Sequence, residues 1–159
     1  MPRHFTLADA KASLPTVGRL LRDSVQAKGR YEEAETYLHN LSQRIMMRGG
    51  MSVDTAAAES WKAQRDANAH TLKNTLEKIE ELGVQVKDLD IGLVDFPTLY
   101  RGEEVYICWR MDEDDIEFWH GVHEGFAGRK EIDADFLANH TAGNDPGSDS
   151  DDDSGGDFE

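Results

Sequence analysis

Residues 89–129 read LDIGLVDFPTLYRGEEVYICWRMDEDDIEFWHGVHEGFAGR, and they contain the only cysteine and two of the three tryptophans of the chain. β-branched and aromatic residues are concentrated at 92–96 and 104–110, which predicts two strands. The two strands are joined through Pro97 and a turn at 100–102 that contains a glycine. This stretch is therefore expected to form a small antiparallel β-sheet.

The second predicted strand has two distinct faces. Side chains alternate along a strand, so one face should carry Val105, Ile107 and Trp109, and the other Tyr106, Cys108 and Arg110. The acidic residues 112–115 that follow favour the start of a short helix. That helix is expected to end at Gly125 and to carry Ile116, Trp119, His120 and His123.

The first 47 residues carry a predominantly helical pattern. Thr6 and Asp9 have the spacing of a capping box, which predicts a helix start. Pro15 lacks an N–H group and is expected to end or kink this first short helix. Apolar residues at helical spacing then continue to about residue 47.

A second long helix follows the break at Gly49 and Gly50. Its predicted start is Ser52 or Asp54, and Gly83 is expected to close it. A short extended segment at 84–87 then leads into the sheet. The sequence thus predicts an α+β protein, mostly α, in which a long antiparallel helical hairpin carries a small antiparallel β-sheet and a short helix at one end.

Charge is unevenly distributed along the chain. The net charge is −15, and residues 141–159 contribute seven acids and no lysine or arginine. We expect one domain over 1–140 and a disordered acidic tail over 141–159, because the tail lacks the apolar content to fold. The remaining 25 acids against 17 bases argue against nucleic-acid binding, which needs clustered basic residues.

A single cysteine excludes an internal disulfide bond and favours a reducing compartment. The N-terminal residues lack the apolar core of a signal peptide, and no apolar run reaches membrane-spanning length. The chain is therefore expected to be cytoplasmic, with no membrane partner.

Several motifs together resemble one known family. The chain contains, in this order, GLVDFP, a glycine turn, EVYICWR, WH and GFAGR. The opening FTLADAKASLP and the connector ELGVQVKDLDI, which leads directly into GLVDFP, contribute to the same resemblance. Over roughly residues 5–132 the chain resembles the bacterial family called domain of unknown function 2203. It departs from the family at Met111 and Asp112, where an apolar residue followed by glycine is usual. The resemblance implies this architecture and brings no established activity.

Four residues of this region are types that bind divalent metals, and zinc accepts thiolate, imidazole and carboxylate ligands together. They are Asp95, Cys108, His120 and His123, with Glu124 as a further candidate. On a helix the two histidines would lie one turn apart on one side. The same cysteine also fits a buried apolar role.

Two other interpretations of these residues remain open. Cys108 could act as a nucleophile, with His120 or His123 as the base and Asp95 orienting the imidazole. Alternatively, charged and aromatic residues could form an ion-pair network or a small-anion pocket, with aromatic walls and an arginine fork. The residues of this second group are Asp95, Arg110, Arg129, Trp109, Trp119 and Phe126.

The leading hypothesis is a small ligand- or metal-binding protein whose site lies between the β-hairpin and the WHGVHEGFAGR segment. The alternative is a helical oligomerisation or scaffold protein without a small-molecule site. A pair of helices this long buries its apolar faces poorly, so a homodimer is expected in either case. The sequence leaves open whether the protein is an enzyme.

Overall fold

A computed structural model describes residues 3–47 and 54–143. Two long helices, α1 (Leu7–Met47) and α2 (Thr55–Glu81), form an antiparallel hairpin that precedes the sheet. The strands are β1 (Gln85–Asp88), β2 (Leu93–Tyr100), β3 (Glu103–Arg110), β4 (Phe118–Gly121), β5 (Lys130–Glu131) and β6 (His140–Thr141). A short helix, α3 (Ala134–Asn139), lies between the last two strands, and a 3-10 turn (Phe126–Gly128) precedes β5. The predicted fold class is confirmed.

The start of α1 is fixed by the predicted capping box. The backbone N–H of Asp9 donates to the Thr6 hydroxyl at 3.0 Å, and the backbone N–H of Thr6 donates to the Asp9 carboxylate at 3.1 Å. Two N–H groups that the first turn cannot pair internally are thereby satisfied. The N–H of Leu7 donates to the Nε2 atom of His140 at 2.9 Å, so the local capping box and one long-range hydrogen bond together satisfy the start of α1.

The prediction that Pro15 ends a first short helix is wrong. α1 continues through Pro15 without a break, so the hairpin is not preceded by a separate helix. Proline in a helix frees one carbonyl, four residues earlier, which here belongs to Lys11. Both Lys11 and Pro15 are exposed, so water can satisfy that carbonyl and the flanking buried residues keep the helix intact.

The hairpin contact follows a seven-residue spacing. Leu20, Ala27, Ala34 and Leu41 are all buried along one line of α1. Ser24 donates to the Thr75 hydroxyl of α2 at 2.6 Å, and this buried hydrogen bond ties the two helices together. Farther along the hairpin, Tyr37 and Trp61 stack with ring centroids 4.7 Å apart.

Both predicted caps of α2 that the structure describes are present. The Asp54 side chain accepts from the backbone N–H of Ala57 at 3.1 Å. At the other end Gly83 adopts φ +92°, a conformation that glycine tolerates best, and Val84 donates its N–H to the carbonyl of Ile79. The other predicted start, Ser52, and the break at Gly49 and Gly50 lie outside the described residues.

The sheet is antiparallel, in the order β1-β2-β3-β4-β5, and β6 pairs with the far part of β2. The predicted extended segment at 84–87 corresponds to β1. β2 runs through Pro97 instead of ending before it. The Pro97 carbonyl accepts from Phe5 at 2.7 Å, so this peptide edge faces away from β3 and the missing N–H costs no bond in the β2–β3 ladder.

The apolar core lies between the hairpin and one face of the sheet. Its members include Val17 and Leu21 from α1, Phe96 from β2, and Ile107 and Trp109 from β3. The predicted alternation along the second strand is confirmed, because Val105 also belongs to this core. We call this the inner face of the sheet, and the opposite side the outer face.

The short helix predicted from the acidic turn is wrong in position. Its central residues form β4, in which Trp119 lies opposite Ile107 and His120 opposite Tyr106. Pairing with β3 places Trp119 against the core, and this tertiary contact outweighs the local helical signal. The short helix instead begins at Ala134, capped by the Asp133 carboxylate.

The predicted acidic tail lies largely outside the described residues. The structure reaches Gly143, and Thr141, which the sequence assigned to the tail, pairs with Leu99 of β2. Along the described part of the chain, neither long helix is apolar enough to cross a membrane.

Replacing Thr6 with alanine should destabilise the protein by about 1 kcal/mol, because the N–H of Asp9 loses its acceptor. The free energy of unfolding from chemical denaturation provides the measurement. Thr16→Ala is the matched control, since Thr16 is exposed within the same helix. An equal loss in both variants would contradict the assigned cap.

Candidate metal centre

Asp95 and Cys108 are brought together by the β2–β3 register. The two residues lie directly opposite each other across the strand pair, so their side chains share a face. That face is the outer one, because Cys108 alternates with the core residues Ile107 and Trp109. His120 joins them from β4, the next strand of the sheet.

Ligand atoms of these three side chains lie within 4.8 Å of one another. The Nε2 atom of His120 is 3.0 Å from each carboxylate oxygen of Asp95. Cys108, Asp95 and His120 are all buried, with at most 4% of any residue exposed. We call this group the outer-face triad.

His120 is held in one orientation from both sides. Its Nδ1 atom lies 2.8 Å from the carbonyl oxygen of Gly121, which only accepts hydrogen bonds. Its Nε2 atom faces the Asp95 carboxylate. Each nitrogen therefore carries a proton in the metal-free protein, and the pair is an imidazolium bound to a carboxylate.

The pKa of His120 reflects opposing effects. Burial acts to lower this pKa, but the hydrogen bonds to Asp95 and to the Gly121 carbonyl outweigh burial and raise the pKa above its ordinary value. The charged form of the imidazole is therefore favoured in the folded protein.

Cys108 is a protonated thiol in this environment. Burial, with the nearby Asp95 carboxylate as the next cause, raises the pKa of Cys108 to about 12. A reactive cysteine needs the thiolate, which burial and a neighbouring negative charge disfavour. Both nitrogens of His120 are also engaged by oxygen atoms, so neither is positioned as a base toward Cys108. This geometry argues against the nucleophile interpretation.

The predicted pairing of His123 with His120 is not formed. His123 follows the end of β4 and is exposed, whereas His120 is buried within the strand. Among the described residues, the group with converging ligand atoms consists of Asp95, Cys108 and His120. The helix that would have aligned the two histidines is absent from this part of the described chain, and with it the reason to expect a shared site.

Glu124 supports the turn beside His120. Its carboxylate accepts the N–H of Gly121 at 2.6 Å and pairs with Lys130. Hydrogen bonds from Lys130 and Gly121 lower the pKa of Glu124. A side chain at Gly128 would lie 2.7 Å from the Glu124 Cβ atom, so this glycine makes room for the carboxylate. The backbone N–H of Glu124 also donates to the Gly121 carbonyl at 3.1 Å, the carbonyl that faces the Nδ1 atom of His120.

The predicted network of Asp95, Arg110 and Arg129 is also not formed. Arg129 pairs with Glu113 at 2.7 Å, and Arg110 pairs with Asp112 at 2.6 Å, while Asp95 pairs with His120. Acids from the chain itself thus occupy the arginine fork that was expected to hold an anion. The sequence interpretation missed Glu113 because nothing in a run of four acids indicates which one turns inward.

The aromatic residues predicted to wall this pocket lie on opposite faces of the sheet. Trp109 and Trp119 pack with the inner-face core. Phe126 lies on the side of the two arginines, whose guanidinium carbons are 5.2 Å (Arg110) and 4.7 Å (Arg129) from its ring centroid. The two tryptophans cannot share one pocket with Phe126, because the sheet lies between them.

The metal-free protein should show a His120 pKa above the ordinary value of 6.5. The raised pKa means that its stabilising contribution is fully present below about pH 6.5 and is lost as the pH rises through the folded-state value. Imidazole titration followed by NMR, together with the free energy of unfolding as a function of pH, provides the measurement. Asp95→Asn is expected to lower the pKa of His120. A His120 pKa at or below 6.5 in the unchanged protein would contradict the imidazolium assignment.

His120→Gln should destabilise the metal-free protein by about 3–5 kcal/mol, because the Asp95 carboxylate is left buried without its partner. The double variant with Asp95→Asn should lose less than the sum of the two single losses, since no buried charge remains. Denaturation of the four proteins measures this coupling. His123→Gln, at an exposed position, is the control and should change the free energy of unfolding by less than about 0.5 kcal/mol. If the loss in the double variant equals the sum of the losses in His120→Gln and Asp95→Asn, the two side chains do not interact.

Comparison with known proteins gives one match. The model of the family described as "Uncharacterized conserved protein (DUF2203)" matches residues 3–132, which include the hairpin, strands β1 to β5 and the outer-face triad. No curated protein and no solved structure matches the chain. The match covers well over half of the 159 residues, and the chain therefore belongs to this uncharacterised family, DUF2203.

Proposed function

We propose that this protein binds a divalent transition metal of the zinc class through the outer-face triad. The observation that carries the proposal is the convergence of a carboxylate, a thiol and an imidazole within 4.8 Å in the buried part of the sheet. Zinc accepts all three ligand types, and thiolate and imidazole favour it over magnesium or calcium. Three protein ligands leave one position of a tetrahedral ion for water or a small ligand.

The surroundings of His120 support this role. Metal-binding histidines typically donate the second ring N–H to a carbonyl or carboxylate, which fixes the ring and its tautomer. Here the Gly121 carbonyl accepts from Nδ1, so Nε2 is the nitrogen directed toward Asp95 and the metal position. The backbone N–H of Glu124 donates to the same Gly121 carbonyl at 3.1 Å, and the Glu124 carboxylate accepts the Gly121 N–H, so Glu124 holds Gly121 from both sides.

Charge balance also favours a divalent ion. In the metal-free protein the triad consists of a carboxylate, an imidazolium and a thiol, with a net charge of zero. A metal that displaces one proton from His120 and one from Cys108 leaves a carboxylate, a neutral imidazole, a thiolate and two positive charges. The net charge is again zero, so the buried site gains no uncompensated charge, which would be costly there.

Proton displacement implies that metal affinity increases with pH. Both ligands must lose a proton before they bind, and protonated Cys108 is the more resistant, because its pKa is raised to about 12. A cytoplasmic location, as expected from the single cysteine, would keep this thiol reduced and available.

Purified protein loaded with zinc and then desalted should retain one ion per chain, measured by native mass spectrometry and elemental analysis. Cobalt in place of zinc should give a thiolate-to-cobalt charge-transfer absorption, which can arise only from Cys108 because the chain has no other cysteine. Cys108→Ser should abolish that absorption, and His120→Gln should abolish metal retention.

His123→Gln is the matched control and should retain the metal, since the exposed imidazole lies outside the triad. Far-ultraviolet circular dichroism of each variant separates loss of the site from loss of the fold. An unchanged protein that retains no metal after loading would overturn the proposal. Retention that depends on His123 and not on His120 would place the site elsewhere.

A further inference from the structure

The half of the helical hairpin farthest from the sheet buries few side chains. We call the described residues 28–47 and 54–72 the distal hairpin. All 27 residues of α2 are described, and only Thr75 and Ile79 of them are buried. In α1 the buried positions beyond Ala27 are Ala34 and Leu41. Helices of this length gain most of their stability from packing an apolar face, and here that face is incompletely covered.

Large apolar side chains remain accessible in the distal hairpin. Leu38, Ile45 and Trp61 are only half-buried, and Met46 is 78% exposed. A groove of about 350 Å³ runs between the two helices near this end. Its apolar lining consists of Leu38, Leu41, Ile45, Met46 and Ala58. This is an apolar surface with room for side chains from another helix pair.

The charge of the distal hairpin differs from that of the rest of the chain. The sequence segment 28–72, which contains both parts of the distal hairpin and the residues that connect them, has six lysines and arginines and six acids, a net charge of zero. The entire net charge of −15 therefore lies outside this segment. Two copies that met at their sheet ends would bring like charges together, whereas two copies that met along the distal hairpin would not.

We propose that the distal hairpin is the docking surface for a second copy of this chain. The two hairpins pack side by side in opposite directions, which forms a four-helix layer and keeps the acidic sheet ends apart. A two-fold contact of this kind uses the same surface on both copies, and a self-neutral surface suits that arrangement. In the four-helix layer, the side chains left half-buried in one hairpin are covered by the other.

Light scattering of the full chain in solution tests this assembly. The unchanged protein should have the mass of two copies over a wide range of concentration. Met46→Glu should shift it to the mass of one copy, because the carboxylate would be buried in the contact. Since Met46 is exposed in the single chain, the substitution should spare the fold, which circular dichroism checks.

Leu137→Glu is the matched control, since Leu137 is also exposed, at 49%, but lies in α3 at the sheet end. This variant should keep the mass of two copies, and so should Cys108→Ser, which removes a ligand of the proposed metal site. A single-copy mass for the unchanged protein overturns the proposal. A Met46→Glu variant that keeps the mass of two copies, or a Leu137→Glu variant that loses it, overturns it as well.

Discussion

The buried contact between His120 and Asp95 imposes the strictest requirement on this structure. Both side chains lie on the outer face of the sheet, and the two Nε2–oxygen distances are 3.0 Å. A shift of one residue in β2 or in β4 would turn one partner to the other face and leave a buried charge unpaired. The registers of β2 and β4 are thus linked across β3 by a single ion pair.

The same contact explains why a turn outside the sheet matters to its interior. His120 remains aligned because the Gly121 carbonyl accepts its Nδ1–H. Glu124 in turn holds Gly121 twice, through its carboxylate to the Gly121 N–H and through its backbone N–H to the Gly121 carbonyl. This chain of contacts runs from an exposed carboxylate to a buried one. Two glycines of the GVHEGFAGR segment, Gly121 and Gly128, leave space for the Glu124 side chain, whereas Gly125 adopts φ +67°, a conformation that glycine tolerates best.

Features set by neighbouring residues could be predicted from the sequence. The capping box of Thr6 and Asp9, the helix end at Gly83 and the alternation of Val105, Ile107 and Trp109 all depend on local geometry. The hairpin fold class followed from these signals. Zinc-ligand chemistry singled out Asp95, Cys108, His120 and His123, but no local rule indicated that the first three would converge without the fourth.

The incorrect predictions concern features that depend on distant partners. The acidic residues 112–115 suggested a helix that would carry His120 and His123, yet pairing with β3 draws Phe118–Gly121 into the sheet. Pro15 was expected to end a helix that its buried neighbours Val17 and Leu21 hold together. Arg129 was assigned to Asp95, but its partner, Glu113, becomes apparent only once the acidic turn has folded over β3.

The proline within β2 also bears on solubility. Pro97 lies between the part of β2 that pairs with β1 and the part that pairs with β6. At this position β2 has no N–H to donate, and the Pro97 carbonyl already accepts a hydrogen bond from the N–H of Phe5. An incoming strand from an unfolded or partly folded neighbour would find neither the donor nor the acceptor it needs there. The gap that β1 and β6 leave along this edge of β2 is therefore closed to an added strand.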